Sequence, residues 1–129
     1  MTEPIPMSAA LAEFVAERHL ATLVTQRADG SPHAVPVGFT LKDGAVRVIT
    51  FAGSVKARNA RGEGRASVTQ LDGARWVTFE GAVRVLDDEG SVAEAVAAYA
   101  RRYRQPKERT DRVVIEIEVD HIMCNGRLK

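Results

Sequence analysis

An antiparallel β-barrel with helices at its ends is the fold that this chain predicts, on three observations. Asp29-Gly30, Asp43-Gly44 and Asp72-Gly73 each separate two runs of alternating apolar residues, the pattern of tight hairpins. About six such runs can be counted, and the helical stretches between them are few. No β-α-β alternation recurs, so a mainly β, α+β architecture is favoured over a doubly wound parallel sheet. The 129 residues suit a single domain, 1–129, with one core.

In chain order, Pro6-Met7-Ser8 leads into a helix through about Arg18, with Ser8 as N-cap and Leu11, Phe14 and Val15 on the apolar face. Leu20 to Arg27 reads as the first strand. The next, Pro32 to Leu41, sets His33, Val35, Val37, Phe39 and Leu41 against Ala34, Pro36, Gly38 and Thr40, one bulky face and one bare. Pro36 restricts it to a sheet edge or a bulge, and Gly38 admits something flat close to the backbone; a bulge without a ligand fits equally well. Ala45 to Phe51 follows as the third strand. A short helix from Ser54 to about Arg61 is stopped by Gly62 and Gly64, and Arg65 to Leu71 returns as a strand.

The strand after Asp72-Gly73 is long. It turns Val77, Phe79, Gly81, Val83 and Val85 one way and Trp76, Thr78, Glu80, Ala82 and Arg84 the other, as a barrel wall would. Asp87-Asp88-Glu89-Gly90-Ser91 opens a helix carrying Val92, Ala95, Val96, Tyr99 and Tyr103 at helical spacing. Its terminal Arg101, Arg102 and Arg104 suit the helix dipole and require no functional role. Gln105 to Asp111 is a polar loop, and Arg112 to Asp120 is the last strand.

Composition narrows the function classes. A net charge of +1 argues against broad nucleic-acid binding. No apolar run approaches the roughly 20 residues of a membrane span, and Met1-Thr2-Glu3-Pro4 lacks the order of a signal peptide, so a cytoplasmic protein is expected. Cys124 is the single cysteine, which excludes an intrachain disulfide and a thiolate metal cluster. GxGxxG, Walker, GxSxG, HExxH and CxxC patterns are missing, and His19, His33 and His121 are scattered. No metal site is expected.

The stretch Thr50-Phe51-Ala52-Gly53-Ser54-Val55-Lys56-Ala57-Arg58-Asn59 ends a strand and opens a helix capped by Ser54. Unpaired N–H donors there, with Lys56 and Arg58, make a small anion site suited to phosphate. An ordinary strand-to-helix connection would have the same spacing. Gln70 can hydrogen-bond the edge of a polar ring and Trp76 can stack on one, although Trp76 would serve equally in a core. With Pro36, Gly38 and Thr40 these stretches outline a slot for a flat heterocycle carrying a phosphate.

The order of Leu-Ala-Thr-Leu, Asp-Gly-Ser-Pro-His, Val-Pro-Val-Gly-Phe, Gly-Ser-x-Lys-x-x-Asn and Gln-x-Asp-Gly-x-x-Trp resembles the pyridoxamine 5′-phosphate oxidase-like split β-barrel superfamily. Within it the chain is most similar to the flavin/deazaflavin oxidoreductase B group. Glu17-Arg18-His19-Leu20-Ala21, Asp72-Gly73-Ala74-Arg75-Trp76, Arg101-Arg102-Tyr103-Arg104 and Arg112-Val113-Val114-Ile115-Glu116 look closest to the F420-dependent biliverdin reductases. The resemblance implies a six-stranded antiparallel split barrel of the FMN-binding type with peripheral helices. It also implies a homodimer with cofactor sites at the subunit interface. Flavin-phosphate oxidases commonly carry Ser-Arg-Lys where this chain has Ser54-Val55-Lys56, so coenzyme F420 is expected before FMN. The chain ends at Lys129 without the extension that completes the pyridoxamine phosphate oxidase site.

By the same resemblance, Ser54, Lys56 and Asn59 hold the phosphate, with Arg58 near the acidic tail of F420. Val37, Gly38, Phe39, Thr40, Thr50 and Phe51 line the deazaflavin, and Gln70 and Trp76 meet its edge or the substrate. A tetrapyrrole substrate, biliverdin, would place its propionates on Arg75, Arg104 or Arg112. No side chain is a compelling acid. Arg75 and Arg112 are the catalytic candidates, acting through a held water. An FMN-binding reductase or oxidase, or a non-catalytic protein that carries F420 or a tetrapyrrole, would use the same motifs.

Overall fold

The computed structural model describes residues 4–62 and 64–129; the reading of Met1 to Glu3 lies outside them. Helix α1 (Ala9–Ala16) is capped by the Ser8 hydroxyl, which accepts from the Leu11 amide, and it buries Leu11, Phe14 and Val15. It stops two residues before Arg18, because Glu17 is extended and its carboxylate is held by Arg75 on a distant strand. Strand β1 (Ala21–Gln26) pairs with β2 (Pro32–Val37). After two residues comes β3 (Thr40–Lys42), which pairs with β4 (Ala45–Phe51). Helix α2 (Val55–Ala60), β5 (Arg65–Asp72), β6 (Arg75–Leu86), helix α3 (Glu89–Arg102) and β7 (Arg112–Cys124) complete the order, with a 3-10 turn at Gly126–Leu128.

All pairings are antiparallel, and the single sheet runs β2-β1-β5-β6-β7-β4-β3. Its two edge strands are consecutive in the chain, joined by Gly38 and Phe39 alone. Val37 and Thr40 can be separated by at most about 11 Å of extended chain, so the sheet has to curl until its edges approach one another. That is a split barrel with seven strands, not six. The expected Pro32 to Leu41 strand breaks at the split, its first half pairing with β1 and its second with β4. Pro36 lies on the edge strand β2, where a missing N–H costs least.

The last strand reaches Cys124, four residues beyond the expected end. Between Glu80 and Gly81 the β6–β7 register shifts, so that Gly81 faces Val119 and Glu80 faces His121. A Cβ on Gly81 would stand 1.8 Å from the Glu118 carbonyl oxygen, so only glycine permits this approach. The core fills the barrel with Phe14, Leu23, Phe39, Val68, Val77, Phe79, Ile115 and Ile117. Glu116, among the alternating polar residues of β7, is buried and accepts from Arg47 Nε at 2.9 Å and Arg84 Nε at 2.9 Å. Two guanidinium groups offset the loss of hydration of its charge.

Candidate functional site

The strand β4 delivers Thr50 to the mouth of α2. Its hydroxyl donates to Ser54 Oγ at 3.0 Å, and that oxygen accepts the Ala57 amide at 3.2 Å. Ser54 is buried and its side chain is committed to capping. The Asn59 amide donates to Thr25 Oγ1 at 3.1 Å, fastening α2 to β1. The turn before α2 is fixed by Ala52 N, which donates to the Asp111 carbonyl at 2.8 Å, and by Arg61, which donates to the Ala52 carbonyl at 2.9 Å.

Two cations of α2 remain. Lys56 is partly buried, and burial pushes its ammonium pKa below the ordinary lysine value. Among the described residues no carboxylate lies within ion-pair distance of it. Arg58 is exposed on a different helix face, where Val55, Arg58, Asn59 and Gly62 border a cleft of about 560 Å³ together with Arg27 and Arg65. The expected phosphate group of Ser54, Lys56, Arg58 and Asn59 is therefore divided. One residue caps, one tethers, and two cations point to separate surroundings.

The residues expected to line the ring lie in several surroundings. Val37, Phe39, Thr40 and Thr50 are buried, and Phe39 meets Phe79 edge-on inside the barrel. Something flat does lie against Gly38, but it belongs to the chain: a Cβ there would be 2.9 Å from Tyr99 Cε2 and 2.9 Å from Tyr103 Cε2. Gln70 is fully buried, its Nε2 donating to the Phe14 carbonyl at 2.9 Å and its Oε1 accepting from Arg102 at 2.5 Å. Both ends of that amide are engaged within the barrel, so it is not turned to a ring edge. Trp76 is half-buried in another cleft, beside Leu11, Cys124 and Leu128, away from α2. Phe51 is exposed at the barrel mouth, with the Arg109 guanidinium 4.5 Å from its ring centre.

Of the arginines expected to meet substrate, Arg75 is taken. It donates to both Glu17 oxygens, at 2.8 and 2.9 Å, and to Asp72 Oδ2 at 2.6 Å, and lies over the Phe14 ring. These bonds hold the Glu17 carboxyl at a pKa of about 2, with a second bond from His19 assisting, and raise that of Arg75. Glu17, His19 and Asp72 place ligand atoms within 4.8 Å of one another, but the guanidinium already fills the space between the carboxylates. Arg104 is exposed at the end of α3. Arg112 is half-buried and donates to the Lys107 carbonyl at 2.5 Å.

Arg102, expected to serve the helix dipole alone, is instead the hub of the barrel split. It donates to the carbonyls of Glu17, at 3.0 Å, and Phe39, as well as to Gln70, and lies against the rings of Phe39 and Tyr103. The sequence does hold a signal for this. Ala95, Tyr99 and Arg102 follow i, i+4, i+7, so Arg102 continues the buried stripe of α3.

Comparisons with known proteins agree with this architecture. The family model described as pyridoxamine 5′-phosphate oxidase matches residues 7–123. A curated relative from Mycobacterium tuberculosis (strain CDC 1551 / Oshkosh), the F420H(2)-dependent biliverdin reductase, is 49% identical over 117 residues, 89% of this chain and 85% of that protein. Among solved structures, the conserved hypothetical protein Rv2991 from Mycobacterium tuberculosis is 25% identical with a TM-score of 0.80, covering 96% of this chain and 87% of that one. A protein described as F420 Reductase shares the fold at 19% identity and a TM-score of 0.71, over 86% of this chain and 94% of its own.

Proposed function

The chain belongs to the pyridoxamine 5′-phosphate oxidase family, and on that premise we propose that it is an F420H2-dependent reductase acting on biliverdin. The observation that carries the reading is Lys56. A partly desolvated ammonium with no carboxylate beside it among the described residues is costly for the fold alone, and an anionic ligand group would offset that cost. The phosphate of the deazaflavin coenzyme fits, and the relative's name supports both cofactor and substrate.

When bound, the coenzyme supplies the hydride that reduces the substrate's conjugated bridge. The chain's own task is then binding and orientation. Lys56 holds the phosphate, and Arg58 on the neighbouring helix face favours a ligand with further negative charge. Thr50, Ser54 and Asn59 act through α2, keeping the helix in place by capping and tethering. Exposed Phe51 presents an apolar face next to the anchor. Val55 stands exposed at the position where an FMN-type anchor would add a cation, which favours F420 over FMN.

The protein acts as a homodimer in the cytoplasm on this reading. One half of the outer sheet face carries Thr22, Pro36, Thr69, Leu71, Trp76, Thr78 and Met123 in adjacent register, without a charge. The other half carries Arg65, Glu80, Arg84 and Glu118. A second copy covering the neutral half would bury Leu71 and the neighbouring Leu20. No described helix is long and apolar enough to cross a membrane.

Two measurements test the function. Oxidation of F420H2 should depend on biliverdin and yield bilirubin; no biliverdin-dependent rate would defeat the substrate assignment. Lys56→Ala should weaken F420 binding about tenfold or more with the fold intact, and an unchanged affinity would remove the anchor.

A further inference from the structure

Between α3 and the Gln105 to Asp111 loop lies a groove of about 870 Å³, within the ~300–1,000 Å³ range of ligand sites. Its floor is apolar, from Val92, Val96 and Pro106, and one wall is cationic, from Lys107, Arg109 and Arg112. Arg109 is neutralised by Asp111, at 2.8 and 3.0 Å. Among the described residues neither Lys107 nor Arg112 has a carboxylate within ion-pair distance. Asp87 and Glu89 line the groove at the start of α3, and Glu108 lines it from the loop beside Lys107.

The groove adjoins the anion anchor. The Asp111 carbonyl accepts the Ala52 amide at 2.8 Å, and Arg109 covers Phe51, the residue that opens the turn into α2. The bond from Arg112 to the Lys107 carbonyl fixes the wall that carries both unpaired cations. We propose that this groove binds the substrate: a flat, apolar dicarboxylic acid of the linear tetrapyrrole class, with its ring edge on Val92, Val96 and Pro106 and its carboxylates at Lys107 and Arg112. Asp87 and Glu89 at the start of α3 disfavour a ligand carboxylate at that end of the groove. This rests on the reductase reading above and assigns the location that the reading leaves open. It replaces Arg75 and Arg104 as substrate contacts, since Arg75 is consumed by Glu17 and Asp72 and Arg104 lies outside the groove.

The test is titration of the full-length protein with biliverdin and with biliverdin dimethyl ester, alongside steady-state reduction by F420H2. Wild type should bind the diacid about tenfold or more tightly than the ester. Lys107→Glu, a change at an exposed position, should raise the Kd and KM for the diacid about tenfold while leaving ester binding and F420 affinity unchanged. Arg112→Lys should retain much of the preference. Equal binding of acid and ester, or a Lys107→Glu variant with unaltered KM on an active enzyme, overturns the groove assignment and spares the reductase reading. A wild type that neither binds nor reduces biliverdin overturns both.

Discussion

Arg102 reaches Gln70 across 32 residues of sequence, its guanidinium donating at 2.5 Å to the Oε1 of an amide that is otherwise sealed in the barrel. The same group holds the Phe39 carbonyl at the split, where neither edge strand supplies a partner. The neighbouring Tyr103 hydroxyl accepts the Phe39 amide at 3.2 Å and donates to the His19 carbonyl at 2.7 Å. The end of α3 thus supplies the hydrogen bonds that a closed barrel would have drawn from an adjacent strand.

Arg102→Ala should therefore destabilise the fold by about 3 kcal/mol, since it leaves the buried Gln70 amide oxygen without a donor and removes the main donor to the Phe39 carbonyl. Arg102→Lys should recover part of this, because an ammonium can replace one or two of the three bonds but not the planar fork. Urea unfolding midpoints measure both, and equal stability of the alanine variant and wild type would contradict the hub.

Replacing either of two glycines should have very different consequences. A methyl group at Gly81 meets the Glu118 backbone at 1.8 Å, which requires the β6–β7 ladder to open. Gly81→Ala should cost about 4 kcal/mol or more and leave little folded protein. At Gly38 the obstacles are the edges of two tyrosine rings at 2.9 Å, which can shift. Gly38→Ala should cost about 1–3 kcal/mol, partly recovered when paired with Tyr99→Leu. Thermal melts of the three variants decide the order.

What the sequence reveals about this molecule is what depends on near neighbours. The Asp-Gly hairpins and the caps at Ser8 and Ser54 are legible because each is set by a few adjacent residues. Gly38 was legible as a point of close approach, but not its occupant, because Tyr99 and Tyr103 arrive from more than 60 positions away. Gln70 read as a ligand contact for the same reason: only the folded chain brings Phe14 and Arg102 to it. At the anion site, residue types suggested convergence, whereas helical geometry separates Lys56 from Arg58 and Asn59.

The Arg75–Glu17 pair predicts a pH dependence. Glu17 is held at about 2, below its ordinary value of 4.5, chiefly by the bonds from Arg75 and then by that from His19. A carboxyl with a lowered folded pKa contributes stability above its unfolded pKa and loses it as pH falls through the folded value. The contribution should be fully present at neutral pH and fade between about 4.5 and about 2. Wild type and Glu17→Gln should differ in urea midpoint near pH 6, with the difference shrinking below about 4.5 and vanishing only below about 2. A constant difference would assign the stabilisation to something other than the charge on Glu17. Because both partners are surface groups, the effect should also shrink in high salt.

Leu20 and Leu71 supply the last prediction, which concerns assembly. Each is 65% exposed in the single chain, Leu71 on the neutral half of the outer sheet face and Leu20 just before β1 beside it. A solitary exposed leucine needs no explanation, but two beside a row of uncharged strand residues form a surface that solvent does not favour. Leu71→Arg places a charge on that surface, near the β5–β6 hairpin, while its side chain remains free to reach water in a monomer. The variant should therefore fold as a monomer, melt no higher than wild type because the stabilisation by assembly is lost, and sediment at half the mass of wild type. If the cofactor sites lie between subunits, F420 affinity should fall with the dimer. A Leu71→Arg protein that stays dimeric would move the interface elsewhere, and a monomer with full F420 affinity would place the whole site within one chain.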